Sequence, residues 1–208
     1  MTEAPTLQRC AWPGDDPMYI GYHDTEWGRP TTDPVRLFEK ICLEGFQSGL
    51  SWITILRKRD NFRAAFDGFD PGRVAAYGER DVERLLDDAG IIRHRGKIEA
   101  TINNAQRAIE LIEADGSLVD WIWSWAVETP ERTDDIDGAV GDGIPAITDR
   151  STALSKELKQ RGWKFVGPTT AYAFMQSEGL TNDHADECFV HAECDAERTG
   201  FLEGRTLR

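Results

Sequence analysis

The sequence predicts an all-α fold, and three observations carry that prediction. Apolar residues recur at spacings of three and four, as in "PVRLFEKICLEGF" at 34–46. No stretch shows the sustained apolar–polar alternation of a half-buried strand. Helix punctuation also falls where it should: Asp33 precedes Pro34 as an N-cap before a first-turn proline, and Gly90 and Gly116 follow apolar periodic runs.

In chain order, the first helix is expected at 34–46. A second, at 50–66, continues the three–four spacing. A short helix at 81–89 is ended by Gly90, and a longer one at 97–113 stops near Gly116. The tryptophan-rich "SLVDWIWSWA" at 117–126 reads as a buried helix. Residues 127–149, which hold "ETPERTDDIDGAVGDGIPAITD" from Glu128 on, are acidic and contain glycine and proline, which suggests a flexible surface loop. Two more helices are expected at 151–161 and 169–177. No internal repeat is present. Residues 1–208 are read as a single helical domain, with a tail at 189–208 of unassigned role.

Composition narrows the function. The chain has 208 residues, 40% hydrophobic and 10% aromatic, enough for a sizeable core and unlike a disordered chain. No apolar run approaches the ~18 residues of a membrane span. "MTEAPTLQRC" lacks the pattern of a signal peptide, so a cytoplasmic location is expected. In that setting Cys10, Cys42, Cys188 and Cys194 favour metal ligation over disulfides. The net charge of −13 argues against non-specific coating of nucleic acid, which runs on phosphate neutralisation. Basic residues nevertheless gather at 57–59, 93–97 and 156–164, as local faces or as ordinary solvated helix surface.

Three constellations carry chemistry. "LSKELKQRGWKFVGPTTAYAFMQ" reads as helix, glycine-bounded hairpin, helix. Gly162 and Gly167 permit a sharp turn and close approach to a ligand, and the helix beginning near Pro168 aims free amides at it. That is the logic of a helix-hairpin-helix DNA-binding element, though an ordinary αα-turn has the same spacing. The basic, glycine-bounded "AGIIRHRGK" at 89–97 is a weaker second candidate.

Metal ligands form the second constellation. Cys10 and His23 lie near one end of the chain and His184 and Cys188 near the other. His184 and Cys188 share a helical face at i, i+4. Two ligands from each end would make a closed, structural Cys2His2 zinc site. A local set of His184, Cys188, His191 and Cys194 is also chemically workable, and no metal at all is the third reading; the set drawn from both ends is favoured. The third constellation is "LEGFQSGLSW" at 43–52, which sets the lone acid Glu44 among apolar, small and amide residues, with Trp52 eight positions on. A buried carboxylate needs a partner or a task.

Together these segments resemble the type I 3-methyladenine DNA glycosylases of bacteria. The resemblance runs through "RCAW", "DPMYIGYHDTEWG", "LFEKICLEGFQSGLSWITIL", "AGIIRHRGKI", "ALSKELKQRGWKFVGPTTAYAFMQ" and "GLTNDHADEC". It implies a helix-hairpin-helix base-excision repair enzyme that removes 3-methyladenine from alkylated double-stranded DNA and leaves the free base as product. It also implies one structural zinc per chain on Cys10, His23, His184 and Cys188. The base pocket falls on Glu44 as the catalytic carboxylate and on Tyr19, Tyr22, Trp52, Trp12 and Trp27. Leu50 matches the residue that fills the gap in the duplex, and the hairpin contributes Gly162, Lys164 and Gly167. A monomer is expected, with no membrane partner. Phe46 departs from the more polar residue common at its position, and the tail is unlike the family's ends.

The resemblance also gives Glu44 a task. A damaged base leaves the stack before a protein acts on it. Trp52 can stack on it, Glu44 can accept from an adenine's exocyclic amine, and Tyr22 offers a hydroxyl. N3-methylation makes the base cationic in the nucleotide, so aromatic faces favour it by about 1–2 kcal/mol when desolvated, and a carboxylate adds preference of the same sign. The cationic base is a good leaving group, so strong general-acid help is not required. Asp183 and, more remotely, Asp120 are the aspartates to weigh for water activation. No lysine stands out as a Schiff-base nucleophile, so no strand cleavage is expected. The alternative from another class is a non-catalytic, zinc-clasped DNA-binding or damage-sensing protein.

Overall fold

The computed structural model describes residues 7–130 and 144–208, and the described residues are helical, with no extended strand. Most of the loop expected at 127–149 therefore lies outside the described residues.

Helix α1 (Pro17–Thr25) opens the order. Asp16 caps it by accepting from the amides of Met18 and Tyr19, with Pro17 at its first position. Helix α2 (Pro34–Gln47) is capped by Asp33 in the same way and runs unbroken-buried from Leu37 to Phe46. The helix expected at 50–66 is instead two: α3 (Trp52–Leu56) and α4 (Arg59–Ala65). The break has a physical cause. Lys58 leaves the helical region, and its ammonium donates to the carbonyls of Ala89 and Gly90, which pins the corner to the loop at 88–94.

A 3-10 turn at Asp67–Phe69 leads into α5 (Pro71–Ala75), α6 (Glu79–Asp87), α7 (Arg95–Asp115) and α8 (Leu118–Trp123). Helices α9 (Asp149–Gln160) and α10 (Pro168–Ser177) pack together across the turn at 161–167. Helix α11 (His191–Leu202) occupies the tail. The sequence reading missed α1, α5, α11 and the 3-10 turn.

One apolar core joins α1 through α10, around Phe38, Phe46, Phe62, Phe66, Phe69 and Trp123. Phe46 is part of it, at 4.6 Å from the Phe62 ring, so this departure from the family pattern is buried. The tail wraps the outside of α8. Arg205 pairs with Asp120, Phe201 packs at a tilt against Trp123 with ring centres 4.3 Å apart, and Arg208 lies over Trp121 and Trp125.

Candidate active site and metal centre

Helices α1 and α2 and the start of α3 converge on a cavity of about 270 Å³, near the lower end of small-ligand pockets. Trp12, Tyr19, Tyr22, Trp27, Glu44 and Trp52, all six residues expected at the base pocket, line it. Gln47, Thr169, Tyr172, Ala173 and Gln176 and the segment 144–146 complete the lining. Tyr22 and Trp52 stand 5.5 Å apart between ring centres, and Trp12 meets Tyr19 edge-on at 4.8 Å. Trp52 reaches the cavity because Gly49, at φ 80°, turns the chain sharply between α2 and α3.

Glu44 is 5% exposed and does not pair with an arginine. Its Oε1 accepts from Lys40, one helical turn earlier, at 2.9 Å. Its Oε2 is buried and meets no partner among the described residues, and the same holds for Nε1 of Trp12 and Trp52. Burial pushes the Glu44 carboxyl above its ordinary value, and the Lys40 ammonium pulls it back. Burial likewise lowers Lys40, with Glu44 opposing. Burial dominates for both, and each favours the other's charged form against it.

Lys40 is the site residue that sequence reasoning missed. Its Nζ also donates to Tyr22 Oη at 2.7 Å and sits 3.3 Å from the centre of the Trp52 ring. The available signal was the i, i+4 spacing of Lys40 and Glu44. Glu178, just past α10, was missed as well. Burial raises its carboxyl to about 7.

Asp183 lies outside the cavity lining. It is 2% exposed and accepts from Tyr172, Gln176 and Thr181 at 2.7, 2.9 and 3.2 Å. Its carboxylate is thus committed to holding two cavity residues. Asp120 is on the surface of α8, bound to Arg205.

Cys10, His23, His184 and Cys188 form a buried cluster whose ligand atoms all lie within 4.8 Å of one another. Cys188 Sγ is 3.5 Å from His23 Nε2 and 3.6 Å from His184 Nδ1, and Cys10 Sγ is 3.7 Å from the same Nδ1. Two ligands about 2.3 Å and 2.0–2.1 Å from a tetrahedral zinc stand about 3.6 Å apart, so the donor set fits. The outer ring nitrogens are oriented from behind, His23 Nδ1 by Asp24 at 2.8 Å and His184 Nε2 by the Trp27 carbonyl at 3.1 Å. Arg9 in turn holds Asp24. The local alternative is not assembled: His191 Nδ1 turns to the His184 carbonyl at 2.9 Å, and Cys194 is not among the grouped ligands.

The remaining predicted residues lie on two neighbouring protrusions. Leu50 is 41% exposed, on the turn between α2 and α3. Lys97 holds that turn from behind by donating to the carbonyls of Phe46 and Ser48. Gly162, Lys164 and Gly167 lie on the turn between α9 and α10. Gly162 adopts φ 82°, and Asn104 clamps Lys164 through both its backbone groups. Gly167 is the N-cap of α10. A Cβ on Gly45 would stand 3.3 Å from Phe165, so α2 and this turn are in close contact. Of the basic groups, Lys156, Lys159 and Lys164 are exposed, whereas Arg57 and Arg59 are paired to Asp16 and Glu26.

An all-helical protein with an aromatic cavity walled by a buried carboxylate, beside a Cys2His2 cluster, defines a narrow class: a binder of a small, flat, hydrogen-bonding ring. The family follows from sequence: residues 12–191 match the methyladenine glycosylase profile, and the chain belongs to that family. It is 54% identical over 182 residues to DNA-3-methyladenine glycosylase 1 of Escherichia coli (strain K12), covering 88% of this chain and 96% of that protein. It is similar to a crystal structure of 3-methyladenine DNA glycosylase I, with a TM-score of 0.81 and 53% identity over 88% of this chain and 100% of that one. A solved complex of 3-methyladenine with a Tyr-to-Phe variant of 3-methyladenine DNA glycosylase I is also similar. Its TM-score is 0.79, with 36% identity over 88% of this chain and 97% of that one.

Proposed function

We propose that this chain is a base-excision repair glycosylase that hydrolyses the N-glycosidic bond of 3-methyladenine in alkylated double-stranded DNA. The observation that carries this is the buried Glu44, with one oxygen held by Lys40 and the other unpartnered, in one cavity with the rings of Tyr22 and Trp52.

The flipped base enters against Trp52. Glu44 Oε2 accepts from its exocyclic amine. Tyr22 Oη accepts from Lys40, so its own proton is left to donate. Water adds to the sugar carbon as the glycosidic bond breaks. The bond's electron pair neutralises the cationic base, and the proton lost from water passes to solvent. The products are free 3-methyladenine and an abasic site, without strand cleavage. Lys40 tempers the Coulombic preference expected of Glu44, because the pair is neutral overall. Selection of the cation then rests on the aromatic faces and on the nearer charge, that of Glu44.

Cys10, His23, His184 and Cys188 hold one zinc. Four protein ligands make the site closed, so the metal's contribution is structural. The α9–α10 unit serves as the helix-hairpin-helix: Gly162, Lys164 and Gly167 approach the phosphates, and the α10 N-terminus supports them. Leu50 fills the gap left by the base. The protein works in the cytoplasm as a monomer built as one helical domain; the core joining α1 to α10 supports the single domain. No described helix is long and apolar enough to cross a membrane.

The test is release of free 3-methyladenine from a methylated duplex. Wild-type protein should release it, and Glu44→Gln should do so more slowly. Duplex binding without any release would favour the non-catalytic damage sensor.

A further inference from the structure

We propose that Lys40 is a positioning residue for excision: from behind the cavity wall its ammonium sets the orientation and charge of Glu44 and fixes Tyr22 and Trp52. This rests on the glycosylase function proposed above and adds a residue to it. An ammonium has three donors. Here Nζ lies 2.9 Å from Glu44 Oε1, 2.7 Å from Tyr22 Oη and 3.3 Å from the centre of the Trp52 ring. Each donor has a target, and each target lines the base cavity. Lys40 itself does not. It lies on the far side of Trp52, in a separate small space shared with Glu178 and Arg59. It therefore acts through its three partners.

Two consequences follow for Glu44 and Tyr22. Oε1 is taken, so Glu44 offers the base Oε2 alone, in one fixed direction. Tyr22 is held as an acceptor from Lys40, which orients its hydroxyl proton away from the ammonium. The charged groups facing Lys40 are Glu26 just after α1, Arg36, Glu39 and Glu44 on its own helix, Arg59 and Arg63 on α4 and Glu178 after α10, with Glu39 paired to Arg63. Glu26 is committed to Arg59 and Arg36. Glu44 is thus the anion in direct contact, and Glu178 acts at longer range.

The experiment is the pH profile of single-turnover excision. Glu44 works as the carboxylate, so activity falls as pH drops through its pKa. Without the facing ammonium it protonates at higher pH. In Lys40→Met and Lys40→Gln the acid limb should move up by about 1–3 pH units, the range for losing an opposite charge at contact. Lys40→Arg, which keeps the charge, should hold the limb near its wild-type position. Lys40→Met added to Glu44→Gln should cost less than it does in the wild-type chain, because the part of its effect that runs through Glu44 is already gone and only the Tyr22 and Trp52 contacts remain to be lost. A limb unmoved in a folded Lys40→Met protein, or fully multiplicative losses, would overturn the proposal. Should the uncharged variants not fold, the pair is read in the wild-type chain: one nitrogen-15 lysine ammonium signal should resist solvent exchange and shift in Glu44→Gln. Its absence would also overturn the proposal. A wild-type protein that excises nothing removes the glycosylase function and this inference together. An excising wild type with an unmoved limb removes only the role of Lys40.

Discussion

Glu44 shows how a single residue becomes a functional group. The helix buries it, Lys40 takes one oxygen, and the second faces a cavity lined by aromatic rings. Glu44→Gln keeps the shape, and its amide can flip to save one hydrogen bond. Base discrimination, compared on methylated and unmethylated duplexes, should fall partly; the fold should hold, but at a lowered melting temperature, because the buried Lys40 ammonium loses the charge it faces. Glu178 permits a pH prediction of definite sign. Its folded pKa is raised from 4.5 to about 7, so its contribution is present below 4.5 and is lost as pH rises through 7. Glu178→Gln should therefore raise thermal stability at pH 8, by about 1–3 kcal/mol, and leave it unchanged at pH 4. Unfolding curves at the two pH values decide this. Glu44, Trp52 and the tyrosines were legible in the sequence because unusual residue types marked them and the family resemblance assigned their roles. Lys40 was not. A lysine on a helix reads as solvated, and its burial comes from α1, α4 and α10, which the sequence of α2 does not reveal.

The turn between α9 and α10 separates folding from binding, because its two glycines differ in backbone. Gly162 has φ 82°, and a Cβ there would meet Arg107 at 3.2 Å. Gly162→Ala should cost about 1–2 kcal/mol of stability, the cost of a left-handed residue, measured by denaturant titration. Gly167 has φ −62° and open space around it. Gly167→Phe should fold normally and weaken binding to damaged and undamaged duplexes alike, since phosphate contacts position and do not specify. Full duplex affinity in that variant would take the turn out of the interface. The two helices flanking this turn were legible from their apolar spacing and glycine stops. The corner at Lys58 was not, because its cause is a pair of carbonyls about thirty residues away in sequence. Helix α1 escaped notice because its apolar and polar residues do not segregate to separate faces. Its burial is concentrated in Tyr22 and His23, one a cavity residue and the other a member of the Cys2His2 cluster.

At the scale of the whole molecule, the Cys2His2 cluster joins the start of the chain to the segment after α10. Cys188→Ser should lower zinc content and melting temperature together, because metal binding is coupled to folding. Cys194→Ser should leave the zinc in place. The cluster and the cavity share elements: α1 carries Tyr22 and His23 side by side, and the Trp27 carbonyl meets His184. The cluster thus lies against the cavity wall; its pairing of distant residues was one of the readings open from the residues, and the family resemblance selected it. What the molecule does with that wall is tested most directly by titrating the wild-type protein with free 3-methyladenine in the absence of DNA. The base should quench tryptophan fluorescence saturably. It should bind more weakly to Glu44→Gln, and more weakly still to Trp52→Ala, by roughly 1–3 kcal/mol for the lost stacking surface. No saturable quenching, together with no heat in calorimetry, would contradict base binding in this cavity and leave Glu44, Tyr22 and Trp52 as core packing.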